Sequence, residues 1–309
     1  MGVVTLPLEI VRDTTQKSAE QARLWCRQLE EGNILLFPQT PVALENAEDA
    51  QFLLGLEQSR SVLHKNLAYQ SATDRIVGAN LCSANSAAHA RLRAILRGYS
   101  QRVTEFLVGF LVPYQARWQV DYTSFRPIEE QGRNLPLRKR NDLLHTDAFP
   151  TRPTQGARIL RFFQNIHPTR PREWIVGEPF RALAPQFIPA GIAPPRAESI
   201  RMQKMRKTIC RAGMGRSIPA LQRSPYDRFM LRFHNFLKEN SDYQLQGARA
   251  AISFPPGSSW MIYTDTVPHA VLSGQYALEQ TFLVAPQAMV APEHAPLSVL
   301  ESLVGQRLV

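Results

Sequence analysis

The chain has 309 residues, 44% of them hydrophobic and 20% charged. That is ample for a large buried core, and it excludes wholesale disorder, collagen-like repeats and coiled coil. The net charge of +10 is local: Arg201 to Lys238 hold ten basic residues and one acid, Asp227, while the rest of the chain is nearly neutral. Such a cluster suggests an anionic partner.

In chain order, Ala22, Trp25, Cys26 and Leu29 recur at helical spacing and predict a helix over 16–31 with Gly32 as its cap. A short strand over 33–37 follows. The clearest helix spans about 88–111, where Leu92, Ile95, Leu96, Tyr99, Val103, Phe106, Leu107 and Phe110 form one stripe. Trp118, Val120 and Tyr122 then alternate as in a half-buried strand. Further strands are predicted over 142–148, 157–166, 248–254, 259–264 and 277–284, with Pro255-Pro256-Gly257 as a turn. Short strands with this punctuation suggest an antiparallel barrel or jelly roll. A long insert, about 169–246, carries the basic cluster and ends in an aromatic helix over 226–238.

No run is long and apolar enough for a bilayer span, and the N-terminus lacks the basic flank and apolar segment of a secretory signal. Three widely spaced cysteines, Cys26, Cys82 and Cys210, support neither a disulfide framework nor a thiolate metal site. A reducing cytoplasm is the expected home.

Phosphate loops, GxSxG, HExxH and CxxC are absent. What stands out is His145-Thr146-Asp147. On a strand, residues two apart share a face, so an imidazole and a carboxylate would stand side by side. They make two of the three ligands of a 2-His-1-carboxylate triad, which leaves open positions on Fe(II). For the third ligand, His64 and His89 precede the pair, His167 adjoins Pro168, His234 lies in the aromatic helix and His294 in a proline-bracketed tail. His269, near a strand start after the Pro-Gly turn, fits best.

The strings Asp142 to Pro153, Arg158 to Ile166, Tyr226 to Lys238 and Phe254 to His269 together resemble the Kdo 3-hydroxylase family. These are Fe(II)/2-oxoglutarate dioxygenases acting on 3-deoxy-D-manno-oct-2-ulosonic acid (Kdo) in the lipopolysaccharide inner core of Gram-negative bacteria. The resemblance runs from near Asn33 to Phe282. It implies a mainly β fold with flanking helices (α+β): a double-stranded β-helix, jelly-roll or cupin-like, with a helical basic insert. A single domain is expected, with N-terminal support over 1–117, the β-helix over 118–168 and 247–285, and the insert over 169–246.

The resemblance also implies His145, Asp147 and His269 as iron ligands, 2-oxoglutarate and O2 as co-substrates, and hydroxylation at carbon 3 of Kdo in Kdo–lipid A. Many relatives hold the outer carboxylate of 2-oxoglutarate with an arginine about ten residues past the distal histidine. Here no cation follows His269, so Arg161 is favoured over Arg158 for that carboxylate, with Asn165 and Gln280 as further candidates. Arg152, Arg126, Lys204, Arg206, Lys207 and Arg211 are candidate contacts to an anionic glycolipid, reached peripherally at the cytoplasmic face of the inner membrane. Alternatives are the same chemistry on another glycolipid or a nucleic acid, and a non-catalytic module for anionic surfaces. No nucleic-acid motif is present.

Overall fold

The computed structural model describes residues 8–15, 18–56, 67–78, 87–211 and 219–309; Arg216 and the side chains of Lys207 and Arg211 lie outside what is described. Two sheets face each other. The larger has eight strands: β1 (Leu8–Ile10), β2 (Ile34–Phe37), β3 (Leu67–Gln70), β4 (Arg75–Val77), β5 (Trp118–Arg126), β6 (Arg158–Asn165), β9 (Ser259–Tyr263) and β11 (Ala277–Val284). Their spatial order is β1-β2-β9-β6-β11-β5-β3-β4, antiparallel except for β1 on β2. The smaller runs β10-β7-β8, from β7 (Arg172–Gly177), β8 (Arg249–Phe254) and β10 (His269–Ser273). This is a double-stranded β-helix with helices on both outer faces.

The layers follow from strand alternation. On β6, Leu160 and Phe162 turn outward onto helix α1 (Ala19–Glu31) and, past the short α2 (Ala47–Leu54) in sequence, the 24-residue helix α3 (Ala87–Phe110). Phe163 turns inward, where it stacks on Trp260 and meets Trp174 edge-on, closing the space between the sheets. Each fully buried side chain of this kind contributes about 1.5–3 kcal/mol. Ser18 caps the start of α1 by accepting from the Gln21 amide. Gly32 ends it at φ 101°, a left-handed conformation that disfavours a side chain.

Two expectations are corrected. The segment 142–148 forms no regular strand; it lies beside β10 through a single antiparallel bridge, His145 to His269, flanked by the bonds Val271 N–H to Asn141 O (2.8 Å) and Asp147 N–H to Thr264 O (2.7 Å). And β7, inside the range expected for the insert, is the central strand of the smaller sheet. What interrupts the sheets is helical: α4 (Phe180–Ala190), α5 (Ile200–Arg211), α6 (Pro219–Gln222), α7 (Pro225–Glu239) and α8 (Ser241–Gln246). With the C-terminal helix α9 (Pro296–Val304), α4 and α7 bury a core that includes Leu144 and Ala270 beneath the smaller sheet. Asp227, the one acid in the basic window, is structural. It completes a capping box with Ser224 at the start of α7 and accepts from the amides of Thr154 and Gln155, fastening α7 to the loop before β6.

Candidate metal centre and co-substrate pocket

His145 and His269 face each other because their backbones exchange two hydrogen bonds, 3.2 and 3.0 Å. That is the hydrogen-bonded pair of an antiparallel ladder, which sets the two residues directly opposite each other. Each imidazole is oriented by a carbonyl two residues back: His145 Nδ1 lies 2.7 Å from Leu143 O and His269 Nδ1 lies 3.0 Å from Val267 O. A carbonyl only accepts, so Nδ1 carries the proton in both rings and Nε2 is left as a ligand atom. His145 Nε2 is 3.9 Å from Asp147 Oδ1. The ligand atoms of His145, Asp147 and His269 all lie within 4.8 Å of one another, the only such cluster among the described residues. Small side-chain rotations bring such a set to the roughly 2.0–2.2 Å bonds of a transition metal.

Electrostatics prepare the three groups. Burial depresses both imidazoles below the usual histidine range, with neighbouring positive charge adding to the effect at His145. Burial alone would raise Asp147, but Arg161, 2.8 Å away, and the two imidazoles hold it well below the usual carboxylate range. All three therefore stand in their ligating protonation states at neutral pH.

The triad opens into a small pocket lined by Arg126, Asn141, Arg161, Phe163, Arg172, Trp174 and Val271 as well as the three candidate ligands. Arg161 pairs with Asp147 and Glu279; Arg126 pairs with Glu279. Arg172 donates to Gly274 O (3.0 Å) and lies 3.8 Å from Glu130. Arg161 Nε, Arg172 Nε and Arg172 Nη2 are buried without a hydrogen-bond partner. Unsatisfied buried guanidinium donors beside a metal-ligand triad suit a small dicarboxylate that ligates with one end and is forked by arginine at the other.

A family profile described as 3-deoxy-D-manno-oct-2-ulosonic acid (Kdo) hydroxylase matches residues 12–307. The chain belongs to the Kdo hydroxylase family. Solved structures of the Kdo hydroxylase KdoO, described as a non-heme Fe(II) α-ketoglutarate-dependent dioxygenase, match it over 98% of this chain and 97% of theirs. The apo form gives a TM-score of 0.81 at 32% identity, and the complex with α-ketoglutarate and Fe(III) gives 0.80 at 31%. A cobalt(II) complex of the same enzyme gives 0.80 at 32%. No curated protein matches the chain in sequence.

Within this family member the remaining candidates scatter. Arg158 and Arg161 are three residues apart on β6 and so point to opposite faces. Arg158 turns away from the pocket, with no exposed surface, bonded to Asp265 (2.8 Å) and Thr266 and lying over the Tyr263 ring. Asn165 is also structural: its amide bonds the carbonyls of Arg170 and Phe254 and the amide of His167. Gln280 faces the helix side of β11, bonded to Thr123. None of these three lines the pocket. Arg126 does, whereas Arg152 pairs with Asp121 and stacks over Tyr122 and Phe149. Arg206 is buried against Glu198 and Gln155 rather than free for a ligand, and Lys204 is exposed.

Sequence reasoning missed Arg172, Glu279, Asn141 and Trp174, whose ring stacks on His269 at 5.2 Å. It also missed that α7 reaches the centre. His234 Nδ1 lies 2.6 Å from Thr146 O and its ring meets His145 edge-on, while Lys238 is buried and donates to Arg138 O. Burial, then Lys238, lowers His234 to about 4, and burial lowers Lys238 to about 8. Recognising Arg172 would have required seeing Arg172 to Gly177 as a strand, where Trp174 and Val176 alternate with Glu173 and Ile175.

Proposed function

We propose that this chain hydroxylates carbon 3 of Kdo in Kdo–lipid A, consuming 2-oxoglutarate and O2 and releasing succinate and CO2. The observation that carries the reading is the convergence of three ligand atoms beside buried guanidinium donors in one pocket. His145, Asp147 and His269 would hold Fe(II) on one side and leave three positions open. The iron, with its co-substrate, supplies the oxidising power that turns C–H into C–OH.

The chain's own residues bind, orient and exclude. Arg161 and Arg172 present planar N–H forks to the far carboxylate, with Arg126 beside them. Glu279 holds two of these guanidiniums in place, and Trp174 fixes the His269 ring. The buried walls keep bulk water from the reacting centre. Kdo–lipid A is anionic through its sugar carboxylate and lipid A phosphates. Exposed cations of the insert, Lys204 among them, would dock the enzyme peripherally on the anionic inner-membrane surface. Among the described residues no helix is long and apolar enough to cross a membrane.

The test is mass spectrometry of Kdo–lipid A incubated with the protein, Fe(II) and 2-oxoglutarate. One added oxygen on the inner core, matched by succinate and absent with Asp147→Ala, is expected. Succinate formation without any change in Kdo–lipid A would refute the substrate.

A further inference from the structure

Among the described residues, helix α5 is anchored through one side. Arg206 on its inner side is buried, donating to Glu198 (3.0 Å) and to Gln155. The opposite side carries Arg201, Lys204 and Thr208, all exposed, while Met202 and Met205, three residues apart, occupy the flank between Arg201 and Arg206. Met202 and Met205 are 49% and 52% exposed, and Leu221, on the adjoining α6, is 48% exposed. The helix contains no acid, and the nearest one before it, Glu198, is turned inward by Arg206 and Arg228. Among the described residues neither Arg201 nor Lys204 has an acidic partner.

A flank of long unbranched apolar side chains standing in water beside unpaired cations is unfavourable on a surface meant only for solvent. The same pattern is favourable where headgroups meet acyl chains: cations pair with lipid phosphates while flexible thioether chains enter the hydrocarbon boundary. We infer that α5 is an interfacial helix that lies on an anionic bilayer with Met202 and Met205 inserted between the lipids. The inference rests on the lipid-surface docking proposed above and adds an apolar component to it. Purely electrostatic docking is screened away by salt, whereas inserted side chains hold on in high salt. The glycolipid would then be met by an enzyme already seated in the plane where the sugar emerges.

The experiment uses the full chain and sedimentation with phosphatidylglycerol vesicles, compared with phosphatidylcholine vesicles, at low and at high salt. The wild type should bind the anionic vesicles and keep a salt-resistant fraction. Met202→Gln/Met205→Gln should lose that fraction and bind about tenfold more weakly at low salt. Its unchanged melting temperature and cobalt(II) uptake would show an intact fold. Arg201→Gln/Lys204→Gln should weaken binding chiefly at low salt. If the methionine variant binds as the wild type does while the cation variant fails, docking is electrostatic alone and the insertion is overturned. If the wild type ignores anionic vesicles, the docking reading falls with it. A wild-type dimer in solution that the methionine variant abolishes would assign the surface to a second copy of the chain and overturn the inference.

Discussion

Arg158 and Arg161 provide a paired perturbation with opposite expected signatures. Arg158→Ala leaves Asp265 buried at 2% exposure without its guanidinium, 2.8 Å away in the intact protein. Breaking a buried pair costs about 3–5 kcal/mol. Burial already lifts Asp265 above the usual carboxylate range with Arg158 beside it, so the orphaned carboxyl can take up a proton. The lower end of the range is therefore expected, a melting temperature reduced by roughly 4–5 °C for a chain of this length. The folded state then binds a proton that the unfolded state releases at lower pH, so the deficit should shrink as pH falls toward the carboxylate range.

Arg161→Ala should behave differently. Glu279 retains Arg126, and Asp147 remains between two imidazoles, so the fold suffers less. The lost charge-assisted bonds to the co-substrate, about 1.5–3 kcal/mol, should raise the KM for 2-oxoglutarate about 10- to 150-fold. The assay is succinate release against 2-oxoglutarate concentration, run beside thermal melts for both variants. A KM effect of similar size in Arg158→Ala, with its melting temperature intact, would refute the division of roles. As a control, Arg158→Met/Asp265→Leu should recover much of the lost stability, because both charges are removed together.

Alanine at His145, Asp147 or His269 should abolish turnover and cobalt(II) uptake while far-UV circular dichroism stays unchanged; a variant that still takes up metal stoichiometrically removes that residue from the triad. Glu279→Gln adds one net positive charge beside Arg126 and Arg161. Succinate should then inhibit several-fold more strongly; weaker inhibition would mean Glu279 acts by shape alone. Burial depresses His145, His234 and His269, so the unfolded chain binds protons that the folded one refuses. The metal-free protein should lose stability as pH falls below about 6.5, the loss continuing toward the His234 value of about 4. His234→Phe should flatten part of that slope, and identical pH–melting curves would count against the burial argument.

Periodicity carried the long elements. The stripe from Leu92 to Phe110 and the alternation around Trp118 predict α3 and β5 within a residue or two at the ends that matter, because one face of each is apolar. Pairs two apart predicted His145 beside Asp147, although the segment is tied down by one bridge and loop bonds instead of a strand ladder. What was illegible depends on which face a buried charge takes. Strand β6 is buried along its whole length, so alternation cannot say that Arg161 enters the pocket and Arg158 leaves it. Nor does a basic window announce that Arg206 and Lys238 turn inward while Lys204 stays out, since that is decided by partners elsewhere in the chain: Glu198 and Gln155 for one, Arg138 for the other.

The stack of Trp174 on the His269 ring gives the molecule an optical readout of its own chemistry. Trp260 and Phe163 stack on each other and meet Trp174 edge-on, with Trp260 5.5 Å from Trp174. The other two indoles, Trp25 and Trp118, pack on Phe110 and Phe282 in the helix-side core. A paramagnetic ion held by His269 would therefore quench the emission of one indole pair far more than the other. Loading and release could be followed in real time without a label, and Trp174→Phe would silence much of the signal.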